Sequence, residues 1–244
     1  MDGIGKQFIE QTKYPNMGKS DQGRGLPQPP LTLDWDRARR PVPLPAPEAI
    51  RLGGLSVREA IDQRRTLRAY ARAPLRLDEL SYLLWCTQGV REVVPQSRTM
   101  RTVPSAGARH AFETYLCVNN VAGLRPGLYR FLALEHALVE ENPGADFADR
   151  LARACLGQET VRTCAATFIW TAVVYRMTYR YGERGYRYLY LDAGHVCQNL
   201  YLAAETIGCG VCAIAAFSDD DVNRLLGLDG KDRFAIYLGT VGKK

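Results

Sequence analysis

The chain has 244 residues, 46% of them hydrophobic and 24% charged, a globular balance that excludes a disordered polymer and allows a full core without disulfides. Lys and Arg number 32 against 26 Asp and Glu, a formal charge of +6, and 26 of the cations are arginine, the better fork for phosphate and carboxylate. The longest apolar run, Ala165 to Val174, falls short of the roughly 20 residues a membrane helix needs. Met1 to Glu10 carries no apolar signal core, and seven cysteines, an odd count, read as reduced thiols, so a cytoplasmic location without a membrane partner is expected.

Residues 1–47 stand apart from the rest. Gln22 to Pro47 holds seven prolines and few apolar residues, which predicts an extended arm over the body or a partner subunit. Residues 48–244 form the second unit. Ser56 with Glu59 is a capping box opening a helix through about Arg64, and Thr66 to Tyr70 reads as extended. Asp78 is the expected cap of a second helix carrying Leu80, Leu83 and Leu84 and closed by Gly89. Phe112 to Val118 and Leu128 to Phe131 read as strands joined by a turn-rich link. Asp146 is the expected cap of a helix ending by Gly157, and Ala165 to Tyr175 reads as a central buried strand. Tyr188 to Gly208 predicts one helix about 30 Å long. Val211 to Phe217 reads as a strand, Ser218 to Leu226 as a capped helix and Phe234 to Val241 as a final strand. Without a regular βαβ repeat, this mixture favours an α+β layered domain over a doubly wound sheet.

Three stretches carry the residues for chemistry. In Arg64-Arg65-Thr66-Leu67-Arg68, alternate positions share a face, so Arg64, Thr66 and Arg68 offer two guanidinium forks and a hydroxyl to one anion. The same residues would also serve as a solvated basic face. In Val103-Pro104-Ser105-Ala106-Gly107-Ala108, small residues after a proline suit either an ordinary loop or close backbone approach to a flat ligand. Tyr175 to Tyr190 holds six tyrosines and four arginines, which suit stacking on nucleobases, a pocket rim against a planar substrate, or simple packing. No G-x-G-x-x-G follows a strand, and neither a P-loop nor G-x-S-x-G occurs, which disfavours Rossmann, P-loop and α/β-hydrolase chemistry. Cys209 and Cys212 form a lone C-x-x-C and His110, His136 and His195 are isolated, so no metal is expected.

Taken together, RRTLRAY (64–70), LDELSYLLWCTQG (77–89), TVPSAGARHAFETYLCV (102–118), GLRPGLYRF (123–131), LGQ (156–158), YGERGYRYLYLDAGHVCQNLYLAAETIG (181–208) and FSDDDVNRLLGL (217–228) resemble the FMN-dependent nitroreductase superfamily. Within it they are most similar to the SagB-type dehydrogenases, flavoenzymes that oxidise azolines to azoles in peptides. The resemblance implies a three-layer α+β sandwich with a mostly antiparallel central sheet, an obligate homodimer, and FMN as cofactor held between two chains. It further implies a small-molecule or peptide substrate, NAD(P)H as a candidate electron donor, and no nucleic-acid partner.

Site residues follow from the same resemblance. Arg64, with Arg65 beside it, would grip the FMN phosphate, and Thr66 would bond the phosphate or ribityl chain. Arg68 would face the N1/O2 edge, where a cation offsets the charge pushed there when hydride reaches N5. Pro104, Ser105, Ala106 and Gly107 resemble a loop that crosses to the flavin of the other subunit, with Ser105 and Gly107 lining the ring. Gln158 would bond the pyrimidine edge, and the backbone N–H of Ala216, or of Ala215, would reach N5. Azole-forming members carry a Lys-Tyr pair for proton removal, and this chain has Arg180-Tyr181 there. Arginine is a poor base with a pKa above ~12, which leaves Tyr181 as the acid or base. Arg68, Arg180 and Tyr181 are therefore the catalytic candidates. Many family members bring a basic residue to the phosphate from beyond the last strand, and here either Lys243 and Lys244 would do so or that contact would be missing. The expected function is hydride transfer through flavin N5 in two half-reactions. A SagB-type azoline dehydrogenase is the alternative within that class, and a basic RNA-binding module the alternative outside it.

Overall fold

The computed structural model describes residues 3–95, 97–144 and 146–244. The chain runs through α1 (Ile4–Gln11), α2 (Asp21–Arg24), β1 (Val42–Pro43), α3 (Val57–Gln63), α4 (Leu77–Gln88), β2 (Val90–Val94), β3 (Arg98–Arg101), β4 (Phe112–Val118), β5 (Gly127–Leu132) and β6 (Ala137–Pro143). It continues through α5 (Phe147–Ala154), α6 (Thr160–Thr163), β7 (Ala166–Val173), α7 (Val174–Tyr181), α8 (Gly185–Thr206), β8 (Cys209–Ile214), α9 (Asp219–Leu226) and β9 (Arg233–Lys243). Seven strands pair antiparallel in the order β1-β6-β5-β4-β7-β9-β8, while β2 and β3 form a separate hairpin.

Strands β4 and β7 lie at the centre because they are apolar on both faces. Leu116, Phe168 and Trp170 point to one side, against Leu80, Leu83 and Leu84 of α4 and Leu189, Val196 and Leu200 of α8. Tyr115, Cys117 and Ile169 point to the other, against Phe147 and Leu151 of α5 and Val222 and Leu226 of α9. The two-residue side-chain period of a strand divides one sequence between two cores. Helices thus cover both faces of an antiparallel sheet, the α+β arrangement expected. Among the described residues no helix is long and apolar enough to cross a membrane.

The segment after α3 positions the first basic cluster. Glu59 accepts the Ser56 N–H at 2.8 Å while Ser56 Oγ accepts the Glu59 N–H, the capping box read from sequence. Beyond Arg64 the chain turns extended and Leu67 N–H donates to the Val211 carbonyl at 2.9 Å, laying Thr66 parallel beside β8 at the sheet edge. The approach is so close that a Cβ on Gly210 would lie 2.5 Å from Leu67. Tyr70 then anchors the segment through Thr240 Oγ1 at 2.7 Å.

Several elements differ from expectation. The leader contains two helices, α1 and α2, where its composition predicts extended chain. Helix α1 ends where the Arg184 and Arg187 guanidiniums bind the Thr12 and Ile9 carbonyls, satisfying groups a helix end leaves open. The rest of the leader crosses the body: Leu26 O accepts from Tyr179 Oη, Pro30 O from Arg176 and Asp34 O from Arg130, each at 2.9 Å. Helix α4 is capped at Arg76 rather than Asp78, because the Glu79 carboxylate accepts the Arg76 N–H at 2.9 Å. Strand β7 stops at Val173 and the next eight residues form α7, and α8 begins at Gly185 rather than Tyr188. A run apolar all round supports strand and buried helix equally, so its periodicity could not place that boundary.

Candidate functional site

Tyr201 of α8 gathers the first group of predicted residues. Its hydroxyl lies 3.2 Å from Thr66 Oγ1 and accepts the Ala213 N–H at 3.0 Å, and the Arg64 guanidinium sits over its ring, 5.4 Å from the centroid. Arg68 brings its charge to Cys212 of β8, whose thiol is pushed up by burial and drawn back by that cation. Arg65 and Arg68 are exposed and Arg64 half-buried. Their neighbours Arg58 and Arg76 pair with Asp62 and Asp78, whereas no carboxylate pairs with Arg64, Arg65 or Arg68 among the described residues.

Where β8 ends, Gln158 Nε2 donates to the Ala216 carbonyl at 2.8 Å, so two predicted residues from distant segments meet. Ala215 and Ala216 are exposed. Ala215 borders a cleft of about 470 Å³ with aromatic walls at Tyr190, Phe217, Phe234 and Tyr237.

The second group surrounds the loop after β3. Pro104 is exposed, and Ser105 Oγ accepts the His110 N–H at 2.9 Å. The Ala106 N–H points at the Asp192 carboxylate, 3.2 Å away. Asp192 is 4% exposed, and burial pushes its carboxyl up against the opposing bonds from Ser105 and Ala106. Gly107 has φ +56°, and Ala108 (φ +53°) and His110 (φ +43°) follow in the same left-handed region. Non-glycine residues held there cost of order 1–3 kcal/mol each, strain typical of ligand-facing loops. Burial, and then the charges of Arg101 and Arg109, lower the His110 imidazole to about 3.

Arg180 and Tyr181 close over this loop. A Cβ on Gly107 would lie 2.5 Å from Tyr181 Oη and 2.9 Å from Arg180 Nε. Arg109 donates Nε–H to the Gly107 carbonyl at 3.2 Å, and burial, followed by the charge of Arg180, holds its pKa below the usual arginine value. The Arg180 guanidinium lies 5.6 Å from the Tyr181 ring centroid.

The chain therefore brings the predicted residues together in separate groups. Thr66 and Arg68 meet β8, Arg64 meets Tyr201 and Gln158 meets Ala216, whereas Gly107 meets Arg180 and Tyr181. No hydrogen bond or ion pair among the described residues links the loop to the basic cluster. Asp192 and Tyr201 stand nine residues apart on α8, about 13 Å along its axis. Lys243 and Lys244 bind the buried carboxylates of Glu79 and Glu205 rather than joining the cluster. Part of the Tyr/Arg stretch makes internal contacts, with Arg176 paired to Glu113 at 2.7 Å and Tyr175 bonded to Asp21, while Tyr190 walls the cleft. Tyr201 and Asp192 escaped the sequence reading. Asp192 had left a signal, a lone acid inside an apolar helical stretch; Tyr201 had none.

The Nitroreductase family model matches residues 61–243. MJ1384 of Methanocaldococcus jannaschii, named for the nitroreductases, is 34% identical over 193 residues, 78% of this chain and 92% of that protein. The trifolitoxin-processing protein TfxB of Rhizobium leguminosarum bv. trifolii is 30% identical over 154 residues, 62% of this chain but 41% of its own length. A crystal structure from Anabaena variabilis, also named for the nitroreductases, superposes with a TM-score of 0.65 at 34% identity, covering 77% of this chain and 38% of that one. Matched from α3 to β9 in both sequence and architecture, the chain belongs to the nitroreductase family of oxidoreductases, close to its SagB-type members.

Proposed function

We propose that the chain is an FMN-dependent oxidoreductase that moves hydride between two substrates in separate half-reactions, with two copies completing each site. The observation that carries this reading is the uncompensated cation cluster at Arg64, Arg65 and Arg68 at the sheet edge, where Arg64 lies over the Tyr201 ring and Thr66 meets its hydroxyl. Guanidiniums crowded without a carboxylate favour an incoming anion, and a phosphate joined to a flat ring answers both this cluster and the aromatic cleft at Ala215. The donor set thus fits FMN.

Bound FMN supplies a ring that takes up and releases hydride at N5. Arg64 and Arg65 would hold its phosphate and Thr66 the phosphate or ribityl chain. Arg68 would offset negative charge at the N1/O2 edge. Gln158, on releasing the Ala216 carbonyl, would bond the pyrimidine edge, and the Ala216 or Ala215 N–H would aim at N5. Pro104 to Gly107 of a second copy would line the ring, which accounts for a loop and a basic cluster unconnected within one chain. Tyr181 would give or take the substrate proton, with the Arg180 guanidinium 5.6 Å from its ring centroid.

In the reductase use, NAD(P)H donates and a nitroaromatic or quinone accepts. The likeness to trifolitoxin-processing TfxB favours a second use, in which a peptide azoline donates and oxygen accepts. Purified protein should be yellow. Anaerobic bleaching by NADPH supports the reductase use; bleaching by an azoline peptide alone supports the dehydrogenase. Protein that stays colourless after incubation with FMN would reject both.

A further inference from the structure

The leader precedes the family-matched region, yet through Tyr188 it is linked to the candidate catalytic tyrosine. Tyr14 follows α1, and its hydroxyl lies 3.1 Å from that of Tyr188 on α8. Arg184 donates Nε–H to the same Tyr188 oxygen at 2.8 Å and lays its guanidinium 4.1 Å from the Tyr14 ring centroid. Arg184 also holds the Thr12 carbonyl at 2.8 Å, so the guanidinium is itself fixed by the leader. With its oxygen held from two sides, Tyr188 presents its ring to Tyr181: the two rings meet edge to face, 4.8 Å apart at 78°. At its hydroxyl Tyr181 meets Gly107 of the strained loop.

We propose that Tyr14, Arg184 and Tyr188 are positioning residues that set the pose of Tyr181, so that the N-terminal leader is a working part of the active site. The inference rests on the proposed function in so far as Tyr181 carries the proton step. A phenol at a helix end turns freely about two bonds unless its ring and its hydroxyl both have neighbours. Here the loop meets the hydroxyl and Tyr188 the ring, and the leader decides where Tyr188 stands. Misplacing a reacting group by about 1 Å can cost on the order of a hundredfold in rate. The electrostatics agree with the geometry. Burial pushes the Tyr188 phenol up, but the bonds from Tyr14 and Arg184 and the charges of Arg184 and Arg187 outweigh it and hold it below the ordinary tyrosine value. Tyr14 is raised by that same bond, as expected of the partner that keeps and donates its proton.

The test uses the full chain labelled with 13C at tyrosine Cζ, with the Tyr181 resonance assigned by Tyr181→Phe. Tyr14 is 66% exposed, so Tyr14→Ala leaves the core intact. Tyr14→Ala is expected to move the Tyr181 resonance and to lower kcat with NADPH and a quinone about fivefold, the scale of one lost hydrogen bond, with KM little changed. Tyr14→Phe keeps the ring beneath Arg184 and should move the resonance less, in the same direction. A Tyr181 resonance unmoved in Tyr14→Ala would overturn the proposal. So would a moved resonance with full kcat in an enzyme that Tyr181→Phe slows. Full turnover by Tyr181→Phe would instead sink the catalytic assignment of Tyr181, with the resonance still deciding the link from leader to tyrosine.

Discussion

Gly107 and Tyr181 stand so close that a methyl group on the first would lie 2.5 Å from the hydroxyl of the second. They are 74 residues apart in sequence and come from two motifs that were read separately, a small-residue loop and an Arg-Tyr pair. Their contact makes the loop a floor for the tyrosine, and the positive φ of Gly107 makes glycine the residue suited to it.

Gly107→Ala should therefore act on Tyr181. The new Cβ adds about 1 kcal/mol of backbone strain at φ +56° and a contact that only movement of the phenol relieves. We expect kcat per bound flavin to fall about tenfold or more through displacement of Tyr181. Turnover and flavin absorbance on one preparation check this, and an unaltered kcat would remove the contact from the active site.

Arg64 and Arg68 should separate by phenotype. On the proposed function, Arg64→Ala would remove a phosphate anchor and should release FMN on dilution or gel filtration. Arg68→Ala should retain flavin better and slow its reduction, because the charge of Arg68 matters most once the ring gains electron density. Full FMN occupancy in Arg64→Ala would disprove the phosphate assignment.

His110 predicts a loss of stability in acid. Burial lowers it to about 3 from an ordinary value of 6.5, so the folded state binds the proton more weakly than the unfolded chain. Its contribution is complete above pH 6.5 and is lost as pH falls from there towards 3. His110→Asn does not titrate and tolerates the φ of +43°. The Tm of the wild type should therefore fall more steeply than that of the variant between pH 6.5 and 4, and parallel curves would contradict the burial of this imidazole.

Glu113 ties the leader to the sheet. Its carboxylate accepts from Arg176 at 2.7 Å and from the Leu33 N–H at 2.9 Å, with Arg176 3% and Glu113 7% exposed. Glu113→Gln leaves a buried guanidinium without its counter-charge and should cost about 3 kcal/mol. Urea denaturation measures the loss, and faster proteolysis within residues 26–40 would report the freed leader.

Much of the scaffold could be read from local pattern. The Ser56–Glu59 capping box, the two-faced apolar strands at 112–118 and 166–173, and the long helix through residues 188–206 all carry signals within a few residues of chain. Helix α1 could not be read, because part of its C-terminal capping comes from arginines more than 170 residues away. The hairpin of β2 and β3 was missed because the side chains it buries, Thr99 and Arg101, are polar while the valines of β2 lie partly or fully exposed, so no apolar alternation marks it. The Arg76 cap likewise turned on one side-chain bond from Glu79, a choice that composition left open between two neighbouring starts.

By itself the sequence determined the chemistry on offer: guanidiniums and a hydroxyl at 64–68, small residues at 104–107, an arginine beside a tyrosine at 180–181, and the periods that shape strands and helices around them. Only the tertiary structure decided which of these meet. It set Tyr201 between Arg64 and Ala213, joined Gln158 to Ala216, closed Tyr181 over Gly107, and brought Tyr14 to Tyr188. The reason is that local pattern records which face of an element is buried, whereas a meeting between distant segments depends on strand order, register and helix placement, which the whole chain settles together.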